Sequence, residues 1–150
     1  MILTMSNYAN YGRTLLSETQ NPDFEPIYNS YERAAESVLN WYTFNRLKND
    51  IDNLNADDKD SVFSCMAELI DLIATKQKAY VLGNNLDGSG EAAVVSQSND
   101  GISVSFNALT ASQIVDNYNN ETRQTINFYL SDVKNSKGHK VLYKGLYAGE

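Results

Sequence analysis

Cysteine and histidine occur once each in these 150 residues, and proline only twice. With Cys65 as the sole thiol, no intramolecular disulfide can form, and with His139 as the sole imidazole there is no Cys/His set for a structural zinc ion. Positive charge is also scarce: 12 Lys and Arg stand against 19 Asp and Glu, for a formal net charge of −7 and a sequence pI near 4.6. Affinity for phosphate comes mainly from clustered cations, so gripping nucleic acid is disfavoured as a main task, while transient contact with DNA stays open. No apolar run approaches the ~18 residues that span a bilayer, and the opening MILTMSNYANYG lacks a basic stretch followed by an apolar one. Membrane insertion and secretion are therefore not expected, and a reducing cytoplasm is the expected folding compartment.

What is present suits one globular domain, 1–150, of mainly α class: 42% of residues are hydrophobic and 21% charged. Tyr8, Tyr11, Leu15 and Leu16 have the spacing of a short leading helix within residues 4–19, which Gly12 would weaken or break. A strong apolar series, Phe24, Ile27, Tyr31, Ala34, Ala35, Val38, Leu39 and Tyr42, predicts a helix over about 24–43, with Glu25, Glu32, Arg33, Glu36 and Asn40 mainly outward. Thr43 to Asn55 is polar and rich in Asn and Asp, which is loop chemistry. A second long helix is predicted over about 57–81, with Asp57, Asp58 and Asp60 at its positive end, Lys76 and Lys78 near its negative end, and a buried stripe of Val62, Cys65, Met66, Leu69, Leu72 and Ile73. Gly83 to Gly90 breaks it.

VVSQSNDGISVSF then reads as a β-hairpin over about 93–106, because Asp-Gly between β-favouring runs tolerates the positive φ of a tight turn. Val95 faces Phe106 if the loop has two residues; Val94 does so if Asn99 joins a bulged three-residue loop. Thr110 and Gln113 resemble a capping box, and Ile114, Tyr118, Thr122, Ile126, Tyr129 and Val133 predict a third long helix over about 110–134. The tail KVLYKGLYAGE carries Val141, Leu142, Tyr143, Leu146 and Tyr147 with no evident stripe to receive them. The expected architecture is a small bundle of three to four helices with one protruding hairpin and an extended C-terminal tail. An isolated two-stranded ribbon is marginal in water, so it needs a surface to lean on.

Chemistry is hard to find. As a general base His139 would need an orienting partner and a substrate pocket; in its polar stretch beside Gly138 and Lys140 it reads as exposed or interfacial. Cys65 falls on an apolar stripe and reads as an inert buried thiol. Asp50, Asp52, Asp57, Asp58 and Asp60 do not follow the alternating spacing of a calcium loop and read as solvated loop and helix-start charge. Gly83 to Gly90 lacks the Lys-Ser/Thr pair of a phosphate loop. No catalytic residue, cofactor or metal ligand is expected. Trp41 and the ten tyrosines are the more telling signal, because such side chains are enriched where proteins meet proteins. At least half of the tyrosines are expected in or at the core, with Tyr143 and Tyr147 the better candidates for a partner surface.

Four segments in order, FEPIYNSYERAAESVLNWYTFNRL, SVFSCMAELIDLI, SQSNDGISVSF and VLYKGL, carry a resemblance to the head-tail adaptor (connector) proteins of long-tailed double-stranded DNA phages. Phe24 matches the Phe that leads the family's helix, and Thr43 with Arg46 the Thr…Arg pair that closes it. Ser98, Asn99, Asp100 and Gly101 match its hairpin, followed by Ser103 and Val104. Leu142, Tyr143, Lys144 and Gly145 match its closing tail. Asp50 to Asn55 and the stretch Lys137-Gly138-His139-Lys140 depart from the pattern. The resemblance implies a structural virion protein of the neck, made in the bacterial cytoplasm, that assembles as a dodecameric ring between the portal and the stopper or tail proteins. The ring would let DNA through during ejection, and an acidic lumen would limit its arrest. The tail residues Val141, Leu142, Tyr143, Lys144, Gly145, Leu146 and Tyr147 would dock on the portal. Ser98, Asn99, Asp100, Gly101, Ile102, Val104 and Phe106 would form a hairpin interface. The competing reading is a free helical binding module, a phage or host regulator that holds a peptide with Trp41 and the tyrosines. A small enzyme ranks last for want of a base, nucleophile or metal set.

Overall fold

The structure, a computed structural model, describes residues 1–84, 95–99, 102–106 and 111–145. It is mainly helical. Among the described residues the α-helices are α1 (Met5–Tyr8), α2 (Glu25–Tyr42), α3 (Ala56–Asn84) and α4 (Ala111–Leu130), and two short strands, β1 (Val95–Asn99) and β2 (Ile102–Phe106), pair antiparallel with Val95 opposite Phe106 and Asn99 opposite Ile102. α3 packs against both α2 and α4. No helix of the described residues is long and apolar enough to cross a membrane.

The buried face of α2 is Tyr28, Tyr31, Glu32, Ala35 and Leu39, a stripe at i, i+3, i+4, i+7 and i+11. It is rotated from the expected one: Ile27 and Ala34 are exposed, and Glu32, expected outward, is 0% exposed. The reason lies in the first residues of the chain. One Glu32 oxygen accepts from the backbone N–H groups of Ile2 (2.5 Å) and Leu3 (3.3 Å), while the Tyr28 hydroxyl donates to the Leu3 carbonyl at 2.9 Å. An irregular segment with unpaired backbone groups can be covered only by side chains that satisfy them, and Glu32 and Tyr28 do so.

The expected leading helix is reduced to the single turn of α1. Thr4 caps it, its side chain accepting from the Asn7 N–H at 3.3 Å, and the chain then turns beneath the Tyr8 ring. A β-carbon at Gly12 would lie 1.9 Å from that ring, so the close approach requires glycine. The Tyr8 hydroxyl donates to Asp71 of α3 and accepts from the Leu15 N–H at 3.1 Å, and the other Asp71 oxygen accepts from the N–H groups of Arg13 (3.1 Å) and Thr14 (3.4 Å). Asp71 thereby satisfies a turn that has no regular structure of its own. Tyr8 meets Tyr28 edge to face, 5.6 Å between centroids.

Asn55 starts α3: its side chain accepts from the Asp58 N–H at 2.8 Å and donates back to the Asp58 carboxylate at 2.7 Å, a reciprocal cap. The buried stripe of α3 is broader than expected, comprising Val62, Cys65, Met66, Ala67, Leu69, Ile70 and Ala74, with Leu72 and Ile73 half-buried. Two helices lean on it, so more than one face is covered. α3 also continues through Gly83 to Asn84, which leaves Lys76 and Lys78 outside its last turn. They have other partners: the Lys76 ammonium sits 4.0 Å from the centre of the Tyr118 ring, and Lys78 pairs with Glu18 at 3.3 Å.

α4 ends at Leu130, short of the expected 134. The chain reverses there so that Val133 can accept from the Val141 N–H at 3.1 Å and Lys134 can bridge to Lys140. Val133 and Val141 are both buried. The Thr110 part of the expected capping box lies outside the described residues, as do Asp100 and Gly101 of the ribbon and Leu146 and Tyr147 of the tail.

Candidate docking surfaces

α2 closes at Thr43, which is buried and donates both its hydroxyl and its N–H to the Leu39 carbonyl, each at 2.9 Å. Phe44 and Asn45 then take left-handed backbone, φ 54° and 59°, and the Asn45 N–H returns to the Asn40 carbonyl at 2.8 Å. Asn accepts this conformation readily; a Phe held there costs ~1–3 kcal/mol and persists only where its surroundings enforce it. Leu47, two residues beyond Asn45, is fully buried.

The turn aims Arg46 at the C-terminal segment. Its guanidinium lies 5.3 Å from the Phe44 ring centre and donates to the carbonyl of Tyr143 and, at 2.7 Å, to that of Gly145. A planar fork with several N–H groups can hold two carbonyls at once, which a lysine could not do in the same geometry. Gly145 lies under the Tyr143 ring: a β-carbon there would come within 2.5 Å of it. The Thr43…Arg46 pair is thus an anchor and a clasp, and Leu142 to Gly145 is the segment clasped.

Val141 departs from the tail expectation. It is buried, and its N–H is bonded to Val133, so its side chain belongs to the fold. Leu142 is half-buried against the core, whereas Tyr143 is 51% exposed and Lys144 is exposed. The exposed side chains at this end therefore begin at Tyr143. Of the ribbon residues, Ser98 and Asn99 lie on β1 and Ile102, Val104 and Phe106 on β2.

A second surface is aromatic. Trp41 is 73% exposed beside a groove of about 530 Å³ between α2 and α4, lined also by Val38, Tyr42, Tyr118 and Arg123. Phe128, which sequence reasoning did not single out, is 78% exposed. A signal for both was present. Trp41-Tyr42 and Phe128-Tyr129 are aromatic doublets on helices, and neighbours there point ~100° apart, so only one of each pair can enter a one-sided core. Tyr42 and Tyr129 are the half-buried members.

The remaining candidates are structural. Cys65 is buried, and burial pushes its thiol well above the ordinary value, which suppresses the reactive thiolate. The acidic residues of the α2–α3 region serve as ties: Asp52 pairs with Lys59 at 3.1 Å, the Asp58 carboxylate accepts at 2.7 Å from the Asn55 side chain that caps α3, and Asp60 accepts from the Tyr11 hydroxyl at 2.8 Å. Asp50 accepts from the Ser136 N–H (2.8 Å) and hydroxyl (2.6 Å) and from the Asn53 side chain (3.1 Å). Among the described residues no group of three or more His, Cys, Asp or Glu could hold a metal ion. Tyr8, Tyr28 and Tyr31 are core residues, and Tyr11, Tyr42 and Tyr129 pack against that core.

Burial alone would raise the Asp50 carboxyl, but the Ser136 hydrogen bonds outweigh it and hold the group below its ordinary 3.8. A depressed folded value means stability that is present above pH 3.8 and lost as pH falls through the folded value. Asp50→Asn should therefore lower stability by ~1 kcal/mol near neutral pH, and the gap to the native chain should close in acid. Urea melts of both chains between pH 2 and 7 test this; a gap that does not change with pH would contradict the assignment.

No family model, curated protein or solved structure matches the chain.

Proposed function

We propose that this chain is the head-tail adaptor of a long-tailed double-stranded DNA phage: a non-catalytic virion protein, built as a small helical bundle with a protruding hairpin. In this reading it forms a dodecameric ring in the neck, seated on the portal and followed by stopper or tail proteins, and DNA passes through it. The observation that carries the reading is the meeting of two motifs far apart in sequence. Arg46, which closes the Thr…Arg pair after α2, donates to the carbonyls of Tyr143 and Gly145 in the Leu-Tyr-Lys-Gly tail. A tail held at its root by backbone contacts leaves the Tyr143 and Lys144 side chains outward for a partner.

Mixing the protein with the portal of the same phage and imaging the product by electron microscopy tests the proposal. Rings on the portal are expected, and truncation after Leu142, which retains the buried Val141, should abolish docking while helical content stays unchanged. Arg46→Ala should weaken docking at least ~tenfold, because the tail then has to be ordered on binding. A native chain that ignores the portal, or binds duplex DNA tightly at physiological salt, would overturn the adaptor reading; a truncated chain that still docks would overturn the tail's role.

A second reading rests on the Trp41 groove. A groove of about 530 Å³ beside Tyr42 and Tyr118 has room for a peptide side chain, as in a free binding module. Trp41 fluorescence separates the two: quenching or a blue shift on adding portal or a second copy supports assembly, whereas a response to host peptides alone supports the module.

A further inference from the structure

The turn after α2, the loop after α4 and the C-terminal segment enclose a cleft of about 540 Å³, within the size range of ligand sites. Its charge is opposite to that of the chain. Among the described residues that line it, Arg46, Lys48, Lys137 and Lys144 stand against the single carboxylate of Asp50, in a protein of net charge −7. Asp50 is already engaged by Ser136 and Asn53, and the charge of Lys137 also acts on it. Among the described residues no carboxylate lies within ion-pair distance of Lys48, Lys137 or Lys144, whereas Lys59, Lys78 and Lys140 each hold one. Like charges gathered in a cleft repel one another and focus their field outward, so the arrangement favours an incoming anion.

The walls are firmly set. Arg46 is fixed by the Tyr143 and Gly145 carbonyls, and Phe44, Asn45 and Asn49 on the rim hold left-handed backbone at φ 54°, 59° and 63°. Of these three, Asn45 and Asn49 adopt this conformation readily, whereas Phe44 is strained, and a strained residue beside a concavity is a recurrent property of binding sites.

We propose that this cleft binds an acidic polypeptide segment of a partner protein, with carboxylates meeting Lys48, Lys137 and Lys144. Duplex DNA is the poorer candidate, because its wide rod does not enter a cleft of this size. The proposal stands apart from the adaptor reading, since it concerns the chemistry of the occupant and holds for any partner.

Fluorescence anisotropy with a labelled hexaglutamate peptide tests it on the full chain. Binding is expected at low salt and should weaken as salt rises. Lys137 and Lys144 are exposed, so K137E/K144E should keep the far-UV circular dichroism and melting temperature of the native chain while losing at least ~tenfold in affinity. K76E/K78E makes the same change in net charge on α3, away from the cleft, and should lose less than ~threefold; should the first pair prove unstable, K144Q alone should still lose more than this control. Equal losses in the two double variants, no binding by the native chain, or displacement of the peptide by an equimolar short DNA duplex or by inorganic phosphate would each overturn the proposal.

Discussion

Gly12→Ala is expected to destabilise the protein by about 3 kcal/mol, lowering the melting temperature by roughly 6–12 °C for a chain of this length. Elsewhere the same change often stabilises by ~0.4–1 kcal/mol, since alanine restricts the unfolded chain. Here the new methyl would lie 1.9, 2.0 and 2.5 Å from three atoms of the Tyr8 ring. The ring has nowhere to go: Tyr8 is fully buried, packed on Tyr28, and tied through its hydroxyl to Asp71 and to the Leu15 N–H. Relief would have to come from the turn around Arg13 and Thr14, whose N–H groups depend on Asp71. A double-mutant cycle isolates the cause. In a Tyr8→Leu background the cost of Gly12→Ala should fall below ~1 kcal/mol, and an unchanged cost would place the effect outside the ring contact.

Glu32→Ala should cost a similar amount, about 3 kcal/mol, although a surface glutamate on a helix normally tolerates alanine within ~0.5 kcal/mol. The substitution removes the acceptor for two backbone N–H groups, at Ile2 and Leu3, in a region where Leu3 and Tyr28 are fully buried. Those donors would then be desolvated without a partner, the expensive way to lose a hydrogen bond. Glu32→Gln keeps an amide oxygen in the same place and should recover more than half of the stability lost with alanine. Urea unfolding of the three chains, with hydrogen exchange at Ile2 and Leu3, measures both effects. A fully tolerated alanine would mean that the opening segment is not held by this side chain.

The contrast between Gly12 and Glu32 marks how far the residues themselves could be read. Gly12 announced a helix break, since glycine weakens any helix, but nothing local says that an aromatic ring will lie across it. Glu32 sits four residues after Tyr28 and three before Ala35, in the buried stripe by spacing, yet its charge argued for the outside, and only an irregular backbone segment with unsatisfied N–H groups could reverse that preference. Arg46 shows the same division. Its place after Thr43 was noticeable, but its partners lie 97 and 99 residues further on. Val141 looked like a sticky tail residue because its cover, Val133 and the chain reversal after Leu130, depends on a helix stopping earlier than its periodicity suggests.

Sequence alone determined the mainly helical class, the approximate limits of α2 and α3, the acidic first turn of α3 and the inert setting of Cys65, because these follow from periodicity, side-chain entropy and short-range electrostatics. Tertiary structure decided which charged side chain is buried, where the chain after α4 turns back, and which cations share a cleft. Those outcomes depend on pairing backbone groups and charges that are distant along the chain, and no local pattern encodes the partner that finally satisfies them.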